Sequence, residues 1–253
     1  MDSNLAAYNL APTQKWYGEL KGLTAAENKI FETIGEKLKN GKLLDIGIGG
    51  GRTTQELMDK CREYLGVDYS SLFVEQCRQK FPKVKIECMD ARDLSSLGKD
   101  RFDLVNFSFN GIDYVNAEDR NKILKEIHNV LQPGGVFFFS THNRSHAMFN
   151  KTPWMNKEKT FIYNLKTFLR FAPFIFKKFI HKNKELSTKD YSLIIDHAHN
   201  YSLVTFYTEP SYLREQLQLT GFTEIKLFDK NGDERKNEKL DDWIYVTALK
   251  SSS

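Results

Sequence analysis

The stretch best suited to chemistry is "KLLDIGIGGGRTT", residues 42–54. Asp45 closes an apolar run, and Gly47, Gly49 and Gly51 follow at every second position. Backbone without β-carbons lets a ligand approach closely, and amides at a helix start favour negative charge. Two phosphate-binding patterns fail here. A dinucleotide fingerprint wants glycines at relative positions one, three and six, but the sixth position is Arg52 counted from Gly47 and Thr54 counted from Gly49. The phosphate loop fails too, because no Gly-Lys-Ser/Thr follows. The stretch alone leaves two readings open, a tight strand-to-helix turn or a cofactor loop.

The elements around it narrow the choice. Residues 24–39 open with a Ser/Thr-x-x-Glu cap, Thr24 and Glu27, and set Ile30, Ile34 and Leu38 on one face, which predicts a helix. "KLLDIG" reads as a buried strand and "RTTQELMDKC" as the next helix. Strands at "EYLGVDYS", "VKIECMDARDL", "RFDLVNFSF" and "VFFFSTHN" alternate with helices at "SLFVEQCRQKF" and "DRNKILKEIHNVL", with "PGG" as a turn. A helix at "PSYLREQLQLTGF", stopped by Gly221, precedes two more strands that form an antiparallel hairpin at the edge. The reading is α/β: a Rossmann-like, seven-stranded, mostly parallel sheet with helices on both faces and a helical cap after the fifth strand. Ligands of such sheets bind at the carboxyl ends of the strands, where Gly47–Gly51, Asp68, Asp90 and Phe107–Asn110 fall.

A chain of 253 residues suits one domain, 1–253, carrying an N-terminal segment (1–23) and an insertion (144–208). "MDSNLAAYNL" lacks a secretory signal's basic start and apolar centre, and no apolar run is long enough to span a membrane. Cys61, Cys77 and Cys88 have no metal-like spacing and read as reduced, mostly buried thiols, so no metal site and a cytoplasmic setting are expected. The net charge of +4 is mild but uneven. Between Lys151 and Lys189 lie ten Lys/Arg and two acids, Glu158 and Glu185.

Asp45, Gly47, Gly49 and Gly51 spell acid-x-Gly-x-Gly-x-Gly. With Asp68 closing the second strand, "MDARDL" the third, "FDLVNFSFNGIDYV" in the fourth-strand region and "IHNVLQPGGVFFFSTHN" after it, residues 40–142 resemble class I S-adenosylmethionine-dependent methyltransferases. The likeness extends to small-molecule enzymes of bacterial surface-sugar and natural-product pathways. It implies S-adenosyl-L-methionine as cofactor and S-adenosyl-L-homocysteine as product. Asp45 would hold the glycine loop and answer the cofactor's ammonium, directly or through water, while Arg52 would answer its carboxylate and Asp68 both ribose hydroxyls. Tyr69 would pack on the adenine, Asp90 accept from its amine, and the Ala91 amide donate to a ring nitrogen. Backbone at Phe107 and Ser108 would border the sulfonium. By the same resemblance an aromatic lid comes from the N-terminal segment, with Tyr17 first and Tyr8 second. The competing reading of each acid is a solvated loop carboxylate.

An alcohol acceptor must lose its proton, whereas a neutral amine needs only alignment. The candidate bases are His142 in "STHN" and then His199 in "IIDHAHNYS", with Asp113 behind them. No Asn/Asp-Pro-Pro-aromatic motif and no Pro-Cys nucleophile is present, which argues against a nucleic-acid base as acceptor. The expected function is O- or N-methylation of a small polar acceptor: a sugar, a phosphorylated sugar or another precursor of surface polysaccharide. The alternatives are an RNA methyltransferase guided by the basic insertion, or an inactive module on a cofactor fold. In the insertion, "TFIYNLKTFLRFAPFIFKKFI" aligns Phe161, Phe168, Phe171 or Ala172, Ile175 and Phe179, with Pro173 expected to kink or break it. Residues 157–184 could cap the acceptor pocket, join a homodimer rather than leave a monomer, or contact anionic lipid at the inner membrane surface.

Overall fold

A computed structural model describes residues 3–147, 149–155, 159–180, 182–196, 198–236 and 240–251. Two short N-terminal helices, α1 (Ser3–Tyr8) and α2 (Ala11–Glu19), precede α3 (Ala25–Thr33) and α4 (Gly35–Asn40). The expected cap on α3 is present in both directions. The Glu27 amide donates to Thr24 Oγ1 at 3.2 Å, and the Thr24 amide donates to Glu27 Oε2 at 2.7 Å. The helix predicted over 24–39 breaks at Ile34 into α3 and α4.

The alternating core follows: β1 (Lys42–Ile46), α5 (Arg52–Leu57), β2 (Glu63–Asp68), α6 (Ser71–Lys80), β3 (Lys85–Cys88), β4 (Phe102–Phe107), α7 (Ala117–Val130) and β5 (Leu131–Asn143). Their strands pair in parallel in the order β3-β2-β1-β4-β5. Helix α7 is capped by Asn116, whose side chain accepts from the Asp119 amide at 2.9 Å. The "PGG" turn is a bulge inside β5, where the register against β4 jumps between Phe102 and Leu104. The three phenylalanines of β5 then divide between the faces. Phe137 and Phe139 stack at 4.4 Å on one side, and Phe138 meets Phe31 of α3 at 5.0 Å on the other.

The insertion holds α8 (Phe161–Ile180) and three strands, β6 (Leu186–Ser187), β7 (Tyr191–Ile194) and β8 (Thr205–Thr208). After it come α9 (Pro210–Thr220), β9 (Phe222–Phe228) and β10 (Trp243–Lys250). Pro210 opens α9, and Gly221, at φ 102°, ends it in the left-handed region. β10 runs antiparallel between β5 and β9, so the expected hairpin is there with β9 outermost.

The sheet therefore has ten strands, not seven. β3-β2-β1-β4-β5-β10-β9 is the expected set, and residues 186–208 add the other three. β10 takes one edge of β5 over residues 136–142, and β4 takes the other up to Phe139. β8 pairs with His142 and Asn143, so it must lie beyond the end of β4 on β4's own side. The insertion is thus a helix plus a small antiparallel sheet continuing the main one past its carboxyl ends. α8 runs unbroken through Pro173. Cys77 is buried, Cys61 half-buried and Cys88 exposed, so the thiols are less uniformly buried than expected. No helix among the described residues is long and apolar enough to cross a membrane. No group of three His, Cys, Asp or Glu among them is placed to hold a metal.

Candidate active site

The alternation of glycines has a conformational cause. Gly47, Gly49 and Gly51 have φ of 68°, 50° and 82°, so every second residue between β1 and α5 is left-handed, where a side chain is costly. Two carboxylates hold this turn from different sides. Asp45 is buried beneath it and accepts from Thr53 Oγ1 at 2.7 Å, Tyr64 OH at 2.6 Å and Asn106 Nδ2 at 2.6 Å. Burial raises its pKa, and these three donors oppose the rise. Asp45 is absent from the cleft wall, so the loop-holding role fits its position and direct contact with a ligand ammonium does not.

Asp68 holds the turn from the cleft side. Its Oδ2 accepts the Gly49 amide and its Oδ1 the Ser70 amide, each at 2.9 Å. Burial pushes this carboxyl up to about 6, against the pull of the Ser70 and Gly49 amides. The cleft above encloses about 790 Å³ of empty space, part of it open to solvent. Gly47, Gly49, Asp68, Tyr69, Asp90, Ala91, Phe107 and Ser108 all line it. The Asp90 carboxylate is engaged by Arg92, whose Nη2 donates at 2.6 Å, and this pairing outweighs burial and lowers its pKa. Gly51 does not face the cleft. A β-carbon there would meet Phe81 at 2.5 Å, so this glycine lets α6 pack beneath the loop.

The N-terminal helices close the cleft. Tyr17 and Tyr8 both line it. The Tyr8 ring lies 5.8 Å from Tyr17, 6.0 Å from Tyr69 and 5.9 Å from Tyr114, at the centre of four tyrosines. The lid backbone presses on the glycine loop, for a β-carbon on Gly50 would stand 2.3 Å from the Tyr17 carbonyl oxygen.

Arg52 has other partners than those expected. Its guanidinium forks onto Glu27 at 2.7 and 2.8 Å, donates to the Gly22 carbonyl at 2.9 Å and to Ser108 Oγ at 3.1 Å, and covers the Phe109 ring. The pair is buried and outside the cleft wall, so the assignment of Arg52 to a ligand carboxylate does not match its position. Buried arginines favour such forked carboxylate pairing. Here it fastens α3 and the end of the lid to α5.

His142, at the end of β5, is buried beside Asp113, which accepts from its backbone amide at 2.7 Å and lies 2.8 Å from Nδ1. Asn110 Nδ2 is 3.1 Å from Nε2. Asp113 also accepts from Thr141 Oγ1 at 2.7 Å and pairs with Arg120, which is fully buried. Asp113 is therefore the partner that orients His142, and neither side chain is part of the wall of either cleft. Tyr207 of β8 covers the imidazole at 4.9 Å and donates its hydroxyl to Asp196 at 2.6 Å. His199 belongs to a 3-10 turn, Ala198–Tyr201, and its side chain lies outside the described residues.

A second cleft adjoins the first and shares Arg92, Tyr114 and Val115 with it. Its remaining wall comes from Asn4 of the lid, Asn116 and Asp119 of α7, and Lys184, Leu193 and Val204 of the insertion. Sequence reasoning missed Tyr114 and Arg120, and placed Asn110 at a strand end without foreseeing its contact with His142. Arg120 left a trace, because it falls on the α7 stripe shared with Ile123, Leu124 and Ile127, where a charge is out of place. Asn110, with Phe109, is left-handed at φ 56°, a pair of strained residues following β4.

Residues 43–135 match the family described as Methyltransferase domain. Over 140 residues the chain is 30% identical to a ubiquinone biosynthesis O-methyltransferase of Methylococcus capsulatus, covering 52% of this chain and 58% of that one. The chain spans about half the length of the curated relatives it matches. Among solved structures, an S-adenosylmethionine-dependent methyltransferase of Thermotoga maritima, a possible histamine N-methyltransferase, superposes with a TM-score of 0.60 at 16% identity, covering 98% of this chain and 99% of that one. A 1,6-didemethyltoxoflavin N1-methyltransferase of Burkholderia thailandensis, solved with its substrate and S-adenosylhomocysteine, superposes at 0.58 with 15% identity, covering 99% and 87%. These likenesses establish the methyltransferase fold.

Proposed function

We propose, from a chain whose residues 43–135 match a methyltransferase domain and whose fold is that of class I S-adenosylmethionine-dependent methyltransferases, that it transfers a methyl group from S-adenosylmethionine to a small-molecule oxygen or nitrogen. One observation carries the reading. A single cleft at the carboxyl ends of β1, β2 and β4 gathers the left-handed glycine turn, a buried acid at the end of β2, and the Asp90–Ala91 and Phe107–Ser108 pairs under an aromatic lid. The residues fit the cofactor: Gly47 and Gly49 present bare backbone, and each Asp68 oxygen keeps a lone pair beyond its one amide bond.

S-adenosylmethionine, when bound, supplies an electrophilic methyl on a sulfonium. Asp68 would accept from the ribose hydroxyls, with Tyr69 against the adenine and Asp90 and Ala91 at its polar edge. Tyr8, Tyr17 and Tyr114 keep water from the reacting centre, which strengthens every polar contact inside it. The acceptor would enter by the second cleft and be aligned against the methyl, alignment being a large part of the acceleration. For a hydroxyl acceptor, His142 would hold the released proton at Nε2. Asp113 fixes the Nδ1–H tautomer that leaves Nε2 basic. Asn110 suits both states: its amide donates to neutral Nε2, and its Oδ1, which has no partner among the described residues, can accept from the protonated ring after an amide rotation. A glycan precursor remains one acceptor class among several, alongside phenols and amines.

The test is transfer of labelled methyl from S-adenosylmethionine to a panel of sugars, sugar phosphates, phenols and amines, with total RNA in parallel. Label on a small molecule supports the proposal. Label on RNA alone, or cofactor binding with no transfer to any acceptor, would replace it with one of the two alternatives.

A further inference from the structure

Helix α8 is attached to the body by a narrow strip. Phe171 is its one buried side chain, set among Ile195, Tyr201 and Trp154, and Lys177 ties down beside it by donating to Ser202 Oγ at 2.9 Å. At 3.6 residues per turn the opposite face is formed by Ile162, Leu165, Leu169, Phe176 and Ile180, all exposed. Phe161 and Phe179 widen this face and are 79% and 69% exposed. Phe171 and Phe174 pack on the domain and Phe168 meets Trp154 at 5.7 Å, but most of the apolar surface of the helix faces away from it. At the ~150–250 Å² an aromatic side chain offers, Phe161, Phe176 and Phe179 alone approach the largest patch of an ordinary monomer, and together with the four aliphatics they exceed it.

The charges on α8 itself are all basic, and Glu185, just past its end, lies 3.9 Å from Lys178. Lys166 and Arg170 run along its flank, and Lys159, Lys182 and Lys184 stand exposed near its ends. Residues 161–180 contain no acid. We propose that this face docks on an anionic phospholipid bilayer, with α8 lying in the plane of the interface, its apolar side chains among the acyl chains and its basic flank on the headgroups. Charge complementarity favours lipid over a second copy of the chain. Two copies meeting through these faces would bring their basic flanks together with no acid on the helix to answer them. Lys184 stands both at the end of this basic region and in the wall of the second cleft, so docking would set the acceptor entrance beside the bilayer. The docking surface itself stands independently of the methyl-transfer reading.

The test is flotation of the whole protein with vesicles of equimolar phosphatidylglycerol and phosphatidylcholine, and with phosphatidylcholine alone. The protein should float with the anionic vesicles, much less with the neutral ones, and less as salt rises. Leu169→Asp with Phe176→Asp should abolish flotation, and Lys166→Glu with Arg170→Glu should weaken it at least tenfold, with thermal unfolding unchanged because these side chains face solvent. No binding to anionic vesicles at low salt, or equal binding to both kinds, overturns the proposal. So does a wild-type dimer that Leu169→Asp dissociates while vesicles capture nothing, which would make the face a contact between copies.

Discussion

Asp68 Oδ2 accepts the backbone N–H of Gly49 at 2.9 Å, so the acid at the end of β2 helps to build the glycine turn that it faces across the cleft. Its carboxyl, raised to about 6 chiefly by burial, must be ionised to accept from a diol. Cofactor affinity is therefore expected to be about tenfold weaker at pH 5 than at pH 8. Protonation of Asp68 does not itself unfold the protein. A carboxyl raised on folding contributes stability that is present below its unfolded value and lost as pH rises through about 6, so this group favours the fold at the acid end. Calorimetric titrations at the two pH values, with melting curves alongside, check it; a flat affinity would contradict it.

His142→Ala should lower turnover on a hydroxyl acceptor by roughly a hundredfold or more, leaving cofactor affinity nearly unchanged. The imidazole touches Asp113, Asn110 and Tyr207 but does not line the cofactor cleft. Unchanged turnover would show that the Asp113–His142 pair is structural.

Arg52→Met should destabilise the protein by about 3–5 kcal/mol, because it leaves Glu27 buried without its charge partner. Arg52→Met with Glu27→Leu should regain part of that loss, less the α3 cap. Cofactor affinity of the folded fraction should stay within a few-fold. A hundredfold loss of affinity at normal stability would return Arg52 to the ligand.

Gly50→Ala should loosen the lid. The added carbon would strike the Tyr17 carbonyl oxygen and the Gly18 Cα, at 2.3 and 2.6 Å, and backbone cannot swing aside as a side chain can. Faster proteolysis within residues 1–23 and weaker cofactor binding, with the sheet intact, are the expected signs. Wild-type proteolysis and affinity would mean that the lid does not rest on the loop.

Val204→Trp should raise the KM for the acceptor without changing cofactor affinity, since Val204 lines only the second of the two clefts. A rise in cofactor Kd instead would show that the two clefts are one site.

The order of strands and the cleft were legible because each rests on local sequence. Left-handed backbone demands glycine, so the spacing of Gly47, Gly49 and Gly51 wrote the turn directly into the chain. Apolar runs ending in Asp68 and Asp90 marked where β2 and β3 expose their ends. The pairing of Arg52 with Glu27 was not legible because the two lie 25 residues apart, and a buried pair looks in sequence like two solvated charges. The β6–β8 sheet was missed because those strands are short, two to four residues, and exist by pairing with the end of β5. The α8 stripe read from the sequence holds Phe171, the side chain that packs on the body, and the exposed face of Ile162, Leu165, Leu169, Phe176 and Ile180 opposite it was not singled out, because only the fold shows which side of an apolar helix is left uncovered.

The most direct measurement is a calorimetric titration of S-adenosylhomocysteine into the wild-type protein and into Asp68→Ala, with a nicotinamide dinucleotide as control. One site per chain with micromolar-range affinity is expected, weakened by about 1–3 kcal/mol in the variant as the ribose contacts are lost. The dinucleotide should not bind. Binding of the dinucleotide and none of S-adenosylhomocysteine would contradict the account at its centre.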